Sequence, residues 1–113
     1  MAVGSQLRIE ALRTLAFGSV AAGYTSVGTP LVNPAQILIL QNSTDVEVMF
    51  SFDGGIVDHI PLQAYGSIIL DVTSDLATVA GALYISVGTQ IAVKRRSGAP
   101  SLGNVDITAI YSR

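Results

Sequence analysis

Residues 36–55, QILILQNSTDVEVMFSFDGG, decide the fold class. Ile37-Leu38-Ile39-Leu40 is apolar at every position, the pattern of a strand covered on both faces. Asn42-Ser43-Thr44-Asp45 follows, four turn formers whose short polar side chains bond their own backbone. Polarity then alternates. Val46, Val48, Phe50 and Phe52 fall on one side, and Asp45, Glu47, Met49, Ser51 and Asp53 on the other. Asp53-Gly54-Gly55 breaks the strand. The stretch reads as a β-hairpin that nucleates the core, because it holds two of the three Phe in the chain.

Upstream, Leu7, Ile9 and Ala11 alternate with charged residues, and Leu15 and Phe17 continue the apolar face. Leu12 breaks that phase, which marks either a bulge or a contact with another subunit. Helical spacing also fits Leu7, Ala11, Leu12 and Leu15, but no helix cap follows, so a strand is expected. Residues 1–6 read as an interface arm. Residues 18–35, GSVAAGYTSVGTPLVNPA, form a long irregular connection with one short strand near Tyr24–Val27. Connections of this length are often functional or ordered by a partner. Leu12, Tyr24, Val27 and Pro30 are therefore candidate interface residues.

Downstream, IVDHIP at 56–61 is a short edge strand, since Pro61 has no N–H for a ladder. Residues 62–66 make a turn. Ser67–Thr73 is a strand with Ile68, Leu70 and Val72 inward. Residues 74–81 are a loop or one helical turn. Leu83, Ile85 and Val87 alternate in another strand, ended by a Gly88-Thr89 turn. Gln90–Arg96 and Asn104–Tyr111 complete the set, the last with Val105, Ile107, Ala109 and Tyr111 on one face. Seven or eight strands with turn signals every 8–12 residues or so predict an all-β fold. The expectation is a single-domain antiparallel β-sandwich over residues 1–113, jelly-roll or immunoglobulin-like.

The chain has 113 residues and no Cys, so the core must hold the fold without disulfides. Hydrophobic residues are 50% and charged residues 12%, against about 25% charged in an ordinary soluble domain. No apolar run reaches the roughly 18 residues of a membrane span. Glu10 and Arg13 stand where a secretory signal would have its apolar centre. One small core cannot hide this much apolar surface, and the surplus points to contact with other protein chains.

Charge is uneven along the chain. Asp45, Glu47, Asp53, Asp58, Asp71 and Asp75 have no base among them, while Arg8, Arg13, Lys94, Arg95, Arg96 and Arg113 lie outside that segment. Two arrangements fit: an acidic side meeting a neighbour's basic side head to tail, or pairing within one folded molecule. Lys94 and Arg96, on one side of a strand, join the candidate interface residues. A net charge of −2 disfavours nucleic acid as a partner.

Residues for catalysis are scarce. His59 is the only histidine, and Asp58 beside it points to the opposite face of a strand. Asp53 and Asp58 lack the spacing of a calcium loop. Tyr24, Tyr65 and Tyr84 could stack on sugar rings, which keeps a carbohydrate-binding module as the alternative. The sequence leads to no enzyme, no cofactor and no metal.

NSTDVEVMFSFDG at 42–54, with Asp58-His59-Ile60 and Ile69-Leu70-Asp71-Val72-Thr73, resembles small virion proteins of tailed bacteriophages. LRTLAFGSV, YTSVGTPL, Gly88-Thr89-Gln90-Ile91 and the GAPSLGNVDITAIY ending extend the likeness over about residues 12–112. The resemblance implies a non-enzymatic β-sandwich present in many copies. Such a protein is a head–tail connector below the portal or a decoration protein on the capsid, located in the virion after assembly in the host cytoplasm. Its implied partners are further copies of itself and the portal, tail or major capsid proteins; the carbohydrate alternative would belong to a phage fibre.

Overall fold

The structure, a computed structural model, describes residues 7–71 and 85–112. The strands are β1 (Leu7–Ile9), β2 (Arg13–Ala16), β3 (Thr25–Ser26), β4 (Ile37–Asn42), β5 (Val48–Ser51), β6 (Ile60–Leu62), β7 (Ser67–Asp71), β8 (Ala92–Arg95) and β9 (Asn104–Ser112). Every pairing among the described residues is antiparallel. One sheet has the order β1-β9-β4-β7, with β2 also on β9, and the other has the order β3-β8-β5-β6. With β1 and β2 taken as one interrupted strand, this is the four-on-four order of a jelly roll, in which successive strands mostly change sheets.

The stretch at 36–55 is therefore not a hairpin. β4 is held on one side by β9 and on the other by β7, so neither edge is left for β5. β5 lies in the opposite sheet, between β6 and β8. The Asn42–Asp45 turn carries the chain across the sandwich. Buried Asn42 fixes this corner: its amide nitrogen lies 2.9 Å from the Val46 and Gln63 carbonyls and 3.3 Å from that of Leu62. Its Oδ1 accepts from the Thr44 N–H at 3.0 Å and from the Thr44 hydroxyl.

Leu38 and Leu40 of β4, Val48 and Phe50 of β5, Val93 of β8 and Val105, Ile107 and Ala109 of β9 fill the space between the sheets. Val20, Val27, Leu31, Ala35 and Ile91 add to this core from the connections. The 18–35 segment thus contributes to the interior as well as to the surface. Ile37 and Ile39 are only half-buried, since β4 is covered on one face. Phe17 belongs to a 3-10 turn, Phe17–Ser19, and is exposed. Ile85 makes an isolated bridge to Ala35, and Val87 lies in the following turn. The expected arm at 1–6, Val72, Thr73, the 74–81 loop, Leu83 and Tyr84 lie outside the described residues.

Candidate functional site

The register of the first sheet lays out its outer face. Ile37 lies between Ile110 and Asp71, Ile39 between Thr108 and Ile69, and Gln41 between Asp106 and Ser67. Ile9 pairs with Ile110. Side chains alternate along a strand, so these residues point outward while Leu38 and Leu40 point to the core. Ile9, Ile37, Ile39, Ile69 and Ile110 therefore make one apolar patch, extended along β1 by Leu7. Ile9 is 68% and Ile69 64% exposed. The polar half of the face, Gln41, Asp106 and Ser67, begins one pair further along.

Leu7 and Ile9 reach this face because of a bulge. Ile9 pairs with Ile110 and Arg13 with Ile107, so residues 10–12 stand opposite residues 108–109 only. One extra residue reverses the facing of everything beyond it. Odd-numbered residues point outward in β1, whereas Arg13 and Leu15 of β2 point inward. Leu12 marks this irregularity and is 60% exposed.

The bulge is pinned by a nearly buried ion pair. Arg13 Nη2 lies 2.7 Å from Glu10 Oε1, and both side chains are 7% exposed. Arg13 also donates from Nε to the Thr29 carbonyl at 2.8 Å and from Nη2 to the Pro30 carbonyl at 3.1 Å. Glu10 Oε2 accepts from the backbone N–H and side-chain amide of Asn33 at 2.8 and 2.9 Å. Burial by itself would raise the Glu10 pKa, but the bonds from Asn33 and Arg13, together with the arginine's charge, bring it below its ordinary value. Gly28 permits this packing. Its φ is +71°, and a Cβ there would come within 2.7 Å of Arg13 Cγ. Beside the pair, Ala11, Leu12, Thr14, Thr29 and Val32 help line an open depression of about 490 Å³.

The loops at this end of the sandwich are tied together. Gly54 N–H donates to the Gln90 carbonyl, Leu31 N–H to that of Thr89, and Gly88 N–H to that of Leu31. Asp53 Oδ1 accepts from the Ser51 hydroxyl and from the N–H groups of Ile56 and Val57. That carboxylate holds the loop tip in shape and presents Ile56, 83% exposed, to solvent. Val32, Val57 and Val87 are exposed on the same loops.

The sequence-derived interface residues separate into three groups. Leu12 and Pro30 are exposed. Tyr24 and Lys94 meet at Asp58: the tyrosine hydroxyl donates to Asp58 Oδ1 at 2.5 Å, and Lys94 Nζ is 3.3 Å from that oxygen and 4.8 Å from the ring centroid. Burial, then the bond to Asp58 and the charges of Asp58 and Asp53, push the Tyr24 pKa up to about 12. Asp58 itself is held below the usual carboxylate range by Tyr24 and then Lys94. Arg96 pairs with Glu47 at 3.2 Å. Val27 is the correction: it is fully buried and belongs to the core.

Acid and base thus meet within one molecule at Asp58–Lys94 and Glu47–Arg96, which favours the intramolecular arrangement over head-to-tail pairing at these residues. His59 Nδ1 accepts from the Phe52 N–H at 3.1 Å, and its ring lies against Phe52. Tyr65 stands in the 63–66 turn, where its N–H donates to the Thr44 carbonyl, whereas Tyr24 is bonded to Asp58 on the other side of β6 in the chain. Glu10, Asn33, Asn42 and Ile56 were not singled out from the sequence. Only Asn42 had a local signal, its place at the head of a turn.

No family model matches the chain, and no curated protein matches it by sequence. Among solved structures, a protein of the Bacillus endospore appendages, a novel family of disulfide-linked pili, aligns with a TM-score of 0.43 and 11% identity over 96% of this chain and 90% of that one. The Dit protein of phage SPP1, from the hub adsorption apparatus of phages infecting Gram-positive bacteria, aligns with a TM-score of 0.39 and 12% identity over 95% of this chain. The chain spans about half the length of the Dit protein, 49%.

Proposed function

We propose that this protein is a non-enzymatic structural component of a tailed-phage particle, assembling in multiple copies at the head–tail junction or on the capsid shell. The observation that carries this reading is the apolar outer face of the first sheet, Ile9, Ile37, Ile39, Ile69 and Ile110. A jelly roll needs only its inner faces for a core, so five isoleucines on one outer face serve contact with another surface. The exposed loop end at Ile56, Val57, Val32 and Val87 supplies a second contact region, suited to a portal, tail or capsid protein. The resemblance of residues 12–112 to small virion proteins supports the phage setting.

Light scattering on the purified protein and microscopy of intact particles test the proposal together. The expected result is a defined multimer in solution and density for this fold at fixed positions in the virion. A copy number matching the portal ring would place it at the junction, and hundreds of copies on capsid symmetry positions would place it on the shell. A monomer at all concentrations that is absent from purified particles would overturn the reading.

A further inference from the structure

The two sheets have four edges, and three are blunted. β3 has two residues, β6 has three with Pro61 in the middle, and the β1–β2 edge is broken by the bulge. Short strands, proline and bulges are the usual means of preventing edge-to-edge pairing. β7 has none of them. It is five residues long, SIILD, with no proline, no basic residue and its single charge at one end. No element among the described residues pairs with its far side.

The hydrogen-bond phase shows what that far side offers. Asn42 N–H donates to the Gly66 carbonyl at 2.8 Å. In an antiparallel ladder the residues directed at the partner alternate, so Ile68 and Leu70, like the Gly66 carbonyl, turn their backbone groups to β4, while the Gly66 N–H closes the turn on the Gln63 carbonyl. Ser67 and Ile69 turn theirs to the open side. Ile68 and Leu70 pack against the core yet are only partly buried, as befits an edge with no neighbour.

We propose that β7 pairs antiparallel with β7 of a second copy about a two-fold axis at Ile69, joining the two first sheets into one. This deepens the multi-copy reading above and rests on it. In that register Ile69 exchanges both backbone bonds with the partner's Ile69. Ser67 stands opposite the partner's Asp71, so no like charges oppose each other. Ile68 stands opposite the partner's Leu70 and gains cover. On the outer face Ile39 and Ile69 run on into their symmetry mates, which makes one continuous apolar stripe. A two-fold contact uses the same edge on both copies and leaves neither β7 unpaired.

The test uses the full chain. Ile69→Lys places a charge on a side chain that is already exposed and sets lysine against lysine across the axis. It should weaken self-association by about tenfold or more while the circular dichroism spectrum and thermal midpoint stay those of the parent. The chain has no cysteine, so Ile69→Cys gives an unambiguous cross-link. Under mild oxidation it should form a disulfide dimer, while a Ser97→Cys control on an exposed bend should not. A wild-type multimer unchanged by Ile69→Lys and not cross-linked through Ile69→Cys overturns the β7 pairing and leaves the assembly reading intact. A monomeric wild type overturns the pairing, and the presence of the protein in purified virions then decides the wider proposal separately.

Discussion

At the residue scale the molecule depends on a few polar groups held out of water. Arg13 and Glu10 neutralise each other, although Arg13 Nη1 is buried without a hydrogen-bond partner, and breaking a buried pair from one side leaves a buried charge behind. Arg13→Met should therefore destabilise the protein by about 3 kcal/mol, read from urea unfolding, and adding Glu10→Gln should recover part of it in a double-mutant cycle. The pair also sets a pH dependence. The folded pKa of Glu10 lies below its unfolded value of 4.5, so its contribution is complete above that value and is lost as pH falls through the folded one. The urea midpoint should fall below about pH 4.5, and fall less steeply in Arg13→Met, which retains less of the depression. Tyr24 works in the opposite direction. Its pKa near 12 exceeds the ordinary 10, so the stability it adds is present below 10 and is lost towards 12. Asp58→Asn should bring its phenolate titration, followed by ultraviolet absorbance, part of the way back towards 10. Burial, the largest cause, would remain.

At the scale of elements, the corner between β4 and β5 decides the topology. Asn42 serves carbonyls from the turn and from the end of β6 at once, and its oxygen holds Thr44. Asn42→Ala strips partners from several buried groups and should cost about 3 kcal/mol in a denaturant titration. A cost within experimental error would show that the corner is set elsewhere. Gly28 plays the matching part for the 27–33 segment. Gly28→Ala meets both a left-handed backbone and the Arg13 side chain, and a loss of about 2 kcal/mol in thermal unfolding is expected.

For the whole molecule the question is which surface is left over once the core is filled. Exposed Ile9 contributes little to the folded monomer, so Ile9→Ser should change stability by no more than about 0.5 kcal/mol. On the proposed assembly, the same change should shift the equilibrium towards smaller species in analytical ultracentrifugation. Because Lys94 and Arg96 find acids within their own chain, assembly should depend weakly on salt. Strong dissociation at high salt would instead favour charge pairing between copies. The apolar composition already indicated surplus surface, but not which face would carry it.

The all-β class, the alternation of β9 and β7 and the turn at Asn42 were legible along the chain, each a local matter of side-chain period or backbone preference. Leu12, in contrast, left a bulge and a subunit contact equally open until the β1–β9 and β2–β9 registers fixed the bulge. That Ile37–Leu40 and Val48–Ser51 belong to opposite sheets follows from the folded arrangement alone, since strand partners are chosen by distant residues competing for the same edges. Tertiary structure also decided that Val27 is core, that Leu7 and Ile9 face outward, and that Glu10 and Arg13 clamp the 28–33 loop. A bulge inverts the facing of every residue beyond it, and an ion pair needs two elements to meet; neither outcome is contained in the neighbours of a residue along the chain.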